Sequence, residues 1–225
     1  MLDVVDMNAA RRALLKHCTA LAVALAAAAA FAQGAPTQRL TILVVGDSLS
    51  AEYGLKRGSG WVALLEQRLA QEKISATVVN ASISGDTTSG GRSRLPALLA
   101  QHRPTHVLLE LGGNDALRGL PLAMTQANLD AMAQAAKAAG ARVLIAGMQV
   151  PPNYGRKYSD DFAALFAAVA KKEDAALVPF LLKGVADGPQ AASAFQADRI
   201  HPREEAHAAI LANVWPVLKP QLLLR

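Results

Sequence analysis

Five short runs of mainly apolar residues recur along the chain, and none of them alternates regularly between apolar and polar residues. Continuous apolarity is typical of parallel strands that are covered on both faces. The intervals between the runs are long enough to hold a helix that returns the chain to the same edge of a sheet. The runs are 40–45, 77–79, 107–111, 143–148 and 177–182.

Between these runs, apolar residues recur with helical spacing, as in Trp61, Leu64, Leu65 and Leu69. Similar stripes occur near the end of the chain. This succession predicts a three-layer α/β/α sandwich around a parallel sheet of about five strands. A chain of 225 residues with 52% hydrophobic content can bury such a core. We therefore expect one globular domain over residues 38–225.

Residues 1–32 have the composition of an export signal. Arg11-Arg12 precedes the uncharged, alanine-rich stretch 19–32, which ends in small residues. This stretch is shorter than the roughly 20 residues that a membrane-spanning helix needs. We expect a signal peptide cleaved after Ala32 and an exported protein, periplasmic or secreted. The general secretory route and the twin-arginine route both stay open.

Charge and cysteine content exclude several classes of function. The chain carries a net charge of +5, of which +4 remains without residues 1–32, because these hold three basic and two acidic residues. The basic residues are scattered, which argues against a nucleic-acid-binding protein. Transient contact with an anionic membrane surface stays open. The single cysteine, Cys18, lies in the predicted signal, so the mature chain has neither a disulfide nor a thiolate metal site.

Polar or glycine-rich loops follow four of the predicted strands, and the carboxyl edge of an open α/β sheet is where ligands bind. Ser48 lies in the first loop, directly after a strand, and is a candidate nucleophile. Asp198 and His201, near the other end of the chain, offer a base and the carboxylate that orients it. The loops are 46–50, 80–91, 112–115 and 149–155.

Other interpretations of these residues are possible. Ser48 alone could cap a helix, and Asn114-Asp115 alone could form a turn. The spacing of the aspartates follows no metal-binding loop, and no phosphate-loop, dinucleotide-binding or Gly-x-Ser-x-Gly motif is present. We expect neither a metal nor a cofactor. Pro202 favours the first turn of a helix, which predicts that His201 directly precedes the C-terminal helix.

Four blocks together resemble the GDSL, or SGNH, hydrolase family. The segment Gly46-Asp47-Ser48-Leu49-Ser50 is similar to its first block. Gly85, Asn114 and the pair Asp198 and His201 resemble the remaining blocks, in the family's order. The resemblance covers about residues 40 to 220. Within the family, the chain resembles in particular the bacterial members described as thioesterase, lysophospholipase and arylesterase.

The resemblance implies a flavodoxin-like SGNH hydrolase fold and a Ser-His-Asp mechanism. Ser48 would be the nucleophile, His201 the base and Asp198 its partner. The oxyanion hole would consist of the backbone N–H groups of Ser48 and Gly85 and the side-chain amide of Asn114. We expect a monomer that acts without a cofactor.

The resemblance also implies substrate contacts. Leu117 belongs to a segment that is similar to the family's substrate loop, and Val150 and Pro151 correspond to its acyl-contacting strand end. Glu52 stands where members of the family often have a glycine, and Arg199 stands where they commonly have a small residue between the catalytic Asp and His. These two differences leave the substrate preference open. We expect an esterase and thioesterase, with lysophospholipids as further candidate substrates. The alternatives are an envelope glycan deacetylase or acetyl transferase and a catalytically silent lipid-binding protein.

Overall fold

Five parallel strands form one sheet at the centre of the computed structural model, which describes residues 39–189 and 191–224. The strands pair in the order β2-β1-β3-β4-β5. The predicted signal peptide, residues 1–32, lies outside the described residues. The strands are β1 (Leu40–Gly46), β2 (Ala76–Asn80), β3 (His106–Glu110), β4 (Arg142–Ala146) and β5 (Ala176–Val178).

Helices cover both faces of this sheet. Within the described residues, α2, α4 and α5 pack side by side on one face, while α1 and α7 pack together on the other. The fold prediction is confirmed, because the described layers are helix, parallel sheet and helix. The α-helices are α1 (Trp61–Gln71), α2 (Thr88–His102), α3 (Gly113–Leu117), α4 (Leu122–Ala138), α5 (Arg156–Lys172), α6 (Ala191–Ala194) and α7 (His207–Leu223).

The central strands are buried on both faces, as their continuous apolarity predicts. All five residues of β3 are buried, as are the last five residues of β1. The two strands run in register, with Gly46 beside Glu110, so they end together. This common end brings the loops after β1 and β3 to one edge of the sheet. None of the described helices is long and apolar enough to cross a bilayer.

Two predictions of local structure are wrong. The last strand ends at Val178 instead of residue 182, because Pro179 has no N–H to donate and the chain turns there. The C-terminal helix begins at His207, and Pro202 instead forms an isolated antiparallel bridge with Phe195. The fixed φ of proline suits this extended bridge as well as a helix start.

Candidate active site

Ser48 lies in a tight turn at the carboxyl end of β1, which we call the Ser48 loop (residues 47–50). Oδ1 of Asp47 accepts the Leu49 N–H at 3.0 Å, which closes the turn. At Gly46, a Cβ atom would lie 2.7 Å from Oε2 of Glu110 and 2.8 Å from Oγ of Ser50. Only glycine leaves room for this turn, and Ser48 is left half-buried at the edge of the sheet.

His201 links Ser48 to Asp198 in one chain of hydrogen bonds. Oγ of Ser48 lies 2.8 Å from Nε2 of His201, and Nδ1 of His201 lies 2.7 Å from Oδ2 of Asp198. Since an ionised carboxylate can only accept, Nδ1 carries the proton and Nε2 is free to accept the serine proton. The structure therefore brings these three predicted residues together in the order that acyl transfer requires.

Asp198 is held in its charged form by the turn that it begins, which we call the His201 loop (residues 198–202). Its Oδ1 accepts the N–H groups of His201 at 3.0 Å and Ile200 at 2.9 Å. The backbone hydrogen bond from His201, followed by the bond from its side chain, lowers the pKa of Asp198 to about 2. Arg199 occupies this turn at φ 59°, a left-handed conformation in which a small residue is less strained.

The ring of Tyr53 packs against the imidazole of His201, with 4.2 Å between ring centroids. Nε2 of Gln196 donates to the Tyr53 carbonyl at 3.0 Å, and the Gln196 N–H donates to the His201 carbonyl at 2.8 Å. These contacts join the loop after β1 to the His201 loop. Tyr53 was not predicted as a site residue, because no motif or spacing in the sequence relates it to His201.

Glu52 shows why a residue other than glycine is tolerated at φ 59° in the same loop. Both oxygens of its carboxylate accept the Gly58 N–H at 3.0 Å, and Oε1 also accepts the Gly60 N–H at 2.7 Å. Three N–H···O contacts thus hold the segment that leads into α1. The side chain stabilises the loop that carries Tyr53, which offsets the cost of the left-handed backbone.

Hydrogen-bond donors for an oxyanion lie in three separate segments, two loops and the short helix α3. Gly85 has φ 79°, and the N–H groups of Gly85 and Ser48 have no acceptor among the described residues. Nδ2 of Asn114, in α3, donates one proton to Oδ2 of Asp47 at 3.0 Å, and its second proton is available. The Ile83 N–H donates to the Gly46 carbonyl at 3.0 Å, which fastens the loop of Gly85 beside the Ser48 loop.

A buried carboxyl group lies beneath the Ser48 loop. Oε2 of Glu110 accepts the Ser50 hydroxyl at 2.7 Å and the Asp47 N–H at 3.2 Å, while its Oε1 has no partner among the described residues. Burial, followed by the charge of Asp47, raises the pKa of Glu110 well above its ordinary value. Glu110 is a residue of the site that was not predicted, although a glutamate inside the apolar run 107–111 is a usable signal.

Asp47 is also buried, and burial raises its pKa to about 6 against the opposing hydrogen bonds from Leu49 and Asn114. Two further aspartates near the site have their own partners: Asp115 accepts the Thr88 N–H at 2.9 Å, and Asp86 pairs with Arg94 at 2.8 Å. No group of three or more potential metal ligands occurs among the described residues.

The predicted substrate contacts lie at the same edge of the sheet but in two different loops. Leu117 ends α3, three residues after Asn114, and is 50% exposed. Val150 follows β4, is half-buried and packs against the core, and Pro151 is exposed. Their contact with an acyl chain stays a prediction.

A parallel α/β sheet that carries a serine, histidine and aspartate in one hydrogen-bonded chain has the architecture of a serine hydrolase. The profile of the GDSL-like Lipase/Acylhydrolase family matches residues 44–209, and the chain belongs to this family. It is therefore a serine hydrolase, as the resemblance implied.

Similar proteins agree with this family. Esterase TesA of Pseudomonas aeruginosa is 53% identical over 212 residues, covering 94% of this chain and 100% of that protein. Thioesterase 1/protease 1/lysophospholipase L1 of Escherichia coli K12 is 46% identical over 180 residues, or 80% of this chain and 84% of that protein. The crystal structure of TesA superposes with a TM-score of 0.78 at 56% identity, covering 81% of this chain and 99% of that one.

Proposed function

We propose that this protein is an exported esterase and thioesterase that cleaves acyl esters, acyl thioesters and lysophospholipids through an acyl-enzyme on Ser48. The observation that carries the proposal is the contact of 2.8 Å between Oγ of Ser48 and Nε2 of His201. The names of the relatives, an esterase and a thioesterase that is also a lysophospholipase, support the substrate classes.

In the first half of the reaction, Nε2 of His201 takes the proton of Ser48 as Oγ bonds to the substrate carbonyl carbon. Asp198 stabilises the imidazolium that forms. The bond from the carbonyl carbon to the leaving oxygen or sulfur then breaks, and His201 returns its proton to the leaving group. In the second half, His201 deprotonates a water as its oxygen bonds to the acyl carbon. The bond from that carbon to Oγ of Ser48 then breaks, and His201 returns the proton to Oγ as the acid leaves.

The oxyanion that forms in both halves would accept the N–H groups of Ser48 and Gly85 and the free amide proton of Asn114. Asp47 holds the Asn114 amide at 3.0 Å, so the donor is oriented before substrate arrives. These donors recognise the scissile carbonyl and not the leaving group. This explains how one site can serve esters, thioesters and lysophospholipids.

Chain-length preference would come from the residues beside the carbonyl site. Leu117, Val150 and Pro151 offer apolar surface in the loops after β3 and β4. Each methylene of an acyl chain that is buried there contributes about 0.8 kcal/mol. We therefore infer that activity rises with chain length until the apolar surface is used up.

On export, residues 1–32 would be removed. The order of basic, apolar and small residues supports cleavage after Ala32, and secreted protein should then have the intact mass of a chain that starts at Gln33. Retention of residues 1–32 in a membrane-bound product contradicts this. Replacing Arg11-Arg12 by Lys-Lys should spare the general secretory route and block the twin-arginine route.

The function is tested by fluorophosphonate labelling and by hydrolysis of a chain-length series of aryl esters. We expect Ser48→Ala to lose both labelling and hydrolysis. Ser89→Ala is the matched control, because Ser89 is exposed on α2 and should leave both unchanged. Failure of the wild type in both assays favours the lipid-binding alternative, and acetate as its best acyl group favours the deacetylase.

A further inference from the structure

Exposed apolar side chains gather in the loops around Ser48. Tyr53 contacts His201, Ile200 adjoins it in the chain, Ile83 precedes Gly85 by two residues, and Leu117 follows Asn114 by three. We call Tyr53, Ile83, Leu117 and Ile200 the apolar rim. Among the described residues, the large apolar side chains that are exposed are Tyr53, Ile83, Leu117, Met124, Ile200, Leu223 and Leu224.

The apolar rim is unlike the scattered apolar residues of an ordinary surface. Ile83 is 53% exposed, Leu117 50%, Tyr53 49% and Ile200 45%. Apolar side chains that are gathered and bordered by polar residues mark a surface that binds a protein, a ligand or a membrane. Here they border the predicted catalytic serine, so whatever covers them also controls entry to it.

The charges beside the apolar rim decide between these occupants. The exposed basic residues in the same loops are Lys56, Arg57, Arg118 and Arg199, and none of them forms an ion pair with a described residue. Nη2 of Arg118 donates to the Gly85 carbonyl at 2.8 Å and leaves its charge unpaired.

The same loops, over residues 47–60, 81–87, 112–119 and 198–202, hold fewer surface carboxylates without a Lys or Arg partner than unpaired basic side chains. Glu52 accepts backbone N–H groups of Gly58 and Gly60, and Asp198 accepts from the His201 loop. Asp86 pairs with Arg94, and Asp47 is buried. Glu52 and Asp198, the surface carboxylates without a Lys or Arg partner, are outnumbered by the four basic side chains, so the net surface charge of these loops is positive and complements an anionic surface. Glu204 and Glu205 lie beyond these loops, in the exposed turn that leads into α7.

We propose that the apolar rim and its basic neighbours dock the enzyme on an anionic lipid surface. Apolar insertion and attraction to anionic headgroups act together in such binding. The docked orientation faces Ser48 toward the lipid, so an acyl chain reaches the site without first crossing water. The inference deepens the proposed acyl hydrolysis and rests on it for its biological use, although docking itself needs no catalysis.

The test is cosedimentation of the protein as secreted, without residues 1–32 and carrying Ser48→Ala to prevent hydrolysis, with lipid vesicles. We expect binding to phosphatidylcholine vesicles that contain phosphatidylglycerol, and much weaker binding to phosphatidylcholine alone. Raising the salt concentration should weaken binding, since salt screens exposed charges. Absence of binding to the anionic vesicles overturns the proposal.

Charge variants localise the docking surface. Lys56→Glu/Arg57→Glu should lower the partition coefficient by about 30-fold or more, since each basic residue near an anionic surface contributes about fivefold. The matched control is Lys73→Glu/Lys171→Glu, which makes the same change in net charge at two exposed lysines beyond α1 and in the last turn of α5. These lysines lie toward the amino ends of the strands, and their replacement should lower binding much less.

An apolar pair of variants tests insertion. Ile83→Ser should lower the partition coefficient by about five- to tenfold. Leu223→Ser should have little effect, although Leu223 is 61% exposed, because it ends α7 near the start of β3. Equal losses in the rim variants and their controls would mean attraction by net charge alone and would overturn the proposed surface.

Hydrolysis of a soluble aryl ester separates this proposal from the proposed function. With Ser48 intact, Lys56→Glu/Arg57→Glu and Ile83→Ser should turn over the soluble ester like the wild type but hydrolyse vesicle-bound lysophospholipid more slowly. A wild type that binds anionic vesicles without hydrolysing any ester contradicts the proposed function alone. A wild type that hydrolyses the soluble ester without binding vesicles contradicts the docking alone.

Discussion

The Ser48 loop and the His201 loop each contain one aspartate, and the two carboxylates have opposite environments. Asp198 has a pKa lowered to about 2 because it accepts two backbone N–H groups and the imidazole. Asp47 has a pKa raised to about 6, chiefly because it is buried. Hydrogen-bond donors stabilise the first charge, whereas lost hydration destabilises the second.

This difference separates two roles. Asp198 is charged at any pH at which an esterase works, so it can stabilise an imidazolium on His201. Asp47 is charged at neutral pH but takes up a proton in mildly acidic solution. Its position between Asn114 and Glu110 makes it a positioning residue for the predicted oxyanion hole.

Replacement of Asp198 should have the largest effect on catalysis. We expect Asp198→Asn to lower kcat by about 10⁴, because the amide favours the wrong tautomer of His201. The measurement is aryl ester hydrolysis, with circular dichroism to show that the fold is kept. Asp187→Asn, a change of the same chemistry in the exposed turn after β5, is the control. A kcat within tenfold of the wild type would contradict the assigned role of Asp198.

On the Ser48 side, Asn114→Ala should lower kcat by about 10²–10³ and leave KM nearly unchanged, the typical loss for one oxyanion donor. Asp47→Asn should lower kcat by less, because the Asn114 amide loses its orientation but stays present. Both values come from steady-state kinetics on one aryl ester. An Asn114→Ala variant with raised KM and normal kcat would mean that Asn114 binds substrate instead.

The two carboxylates should also give stability opposite dependences on pH. Native Asp47 keeps its proton between the ordinary pKa of 3.8 and about 6, whereas the unfolded chain has lost it. Its contribution to the free energy of unfolding therefore falls as pH rises through this window, by about 3 kcal/mol at most. Asp198 stabilises the protein above pH 3.8, and this contribution is lost as pH falls toward about 2.

Urea unfolding at a series of pH values measures this effect. The difference in stability between wild type and Asp47→Asn should decrease as pH rises from 3.8 to 6 and be constant above that. Asp198→Asn is the matched variant, for which the difference should instead grow as pH rises from 2 to 3.8. A constant difference for Asp47→Asn across its window would show that burial does not raise its pKa.

The smallest effect is expected beyond the reacting groups, at Val150. Val150→Trp should lower kcat/KM severalfold for long-chain aryl esters and spare acetyl and butyryl esters, because the larger ring fills the space for an acyl chain. Val150→Ala serves as the control and should not penalise long chains. The measurement is kcat/KM across the chain-length series. A uniform loss at every chain length would show that Val150 does not line an acyl groove.

The sequence predicts the sheet well where burial is complete on both faces. Strands β1 and β3 lie within one residue of their predicted positions, because only buried strands carry such continuous apolarity. The same signal extends the last strand too far. Phe180, Leu181 and Leu182 are buried and apolar, but they form a turn after Pro179.

The candidate site is predictable where residues belong to a motif and not where contacts between loops follow no motif. Ser48, Asn114 and His201 could be proposed from motifs, and in the structure they lie at one edge of the sheet, with Ser48 and His201 in hydrogen-bond contact. Tyr53 packs against His201 only because the first and last loops meet, and local sequence does not encode such a contact. Glu110 is intermediate between these two cases. A glutamate in an apolar strand indicates an unusual environment, but the sequence does not show which residues its side chain contacts.

The hydrogen bond between Ser48 and His201 joins residues that are 153 positions apart. A second bond, from the Trp61 N–H to Nδ1 of His207 at 3.0 Å, spans 146 positions and ties the start of α1 to the start of α7. Contacts of this separation form slowly, because a long loop must close before they gain any energy. Recovered hydrolysis after dilution from denaturant is thus a late signal of refolding, which follows the return of helical content.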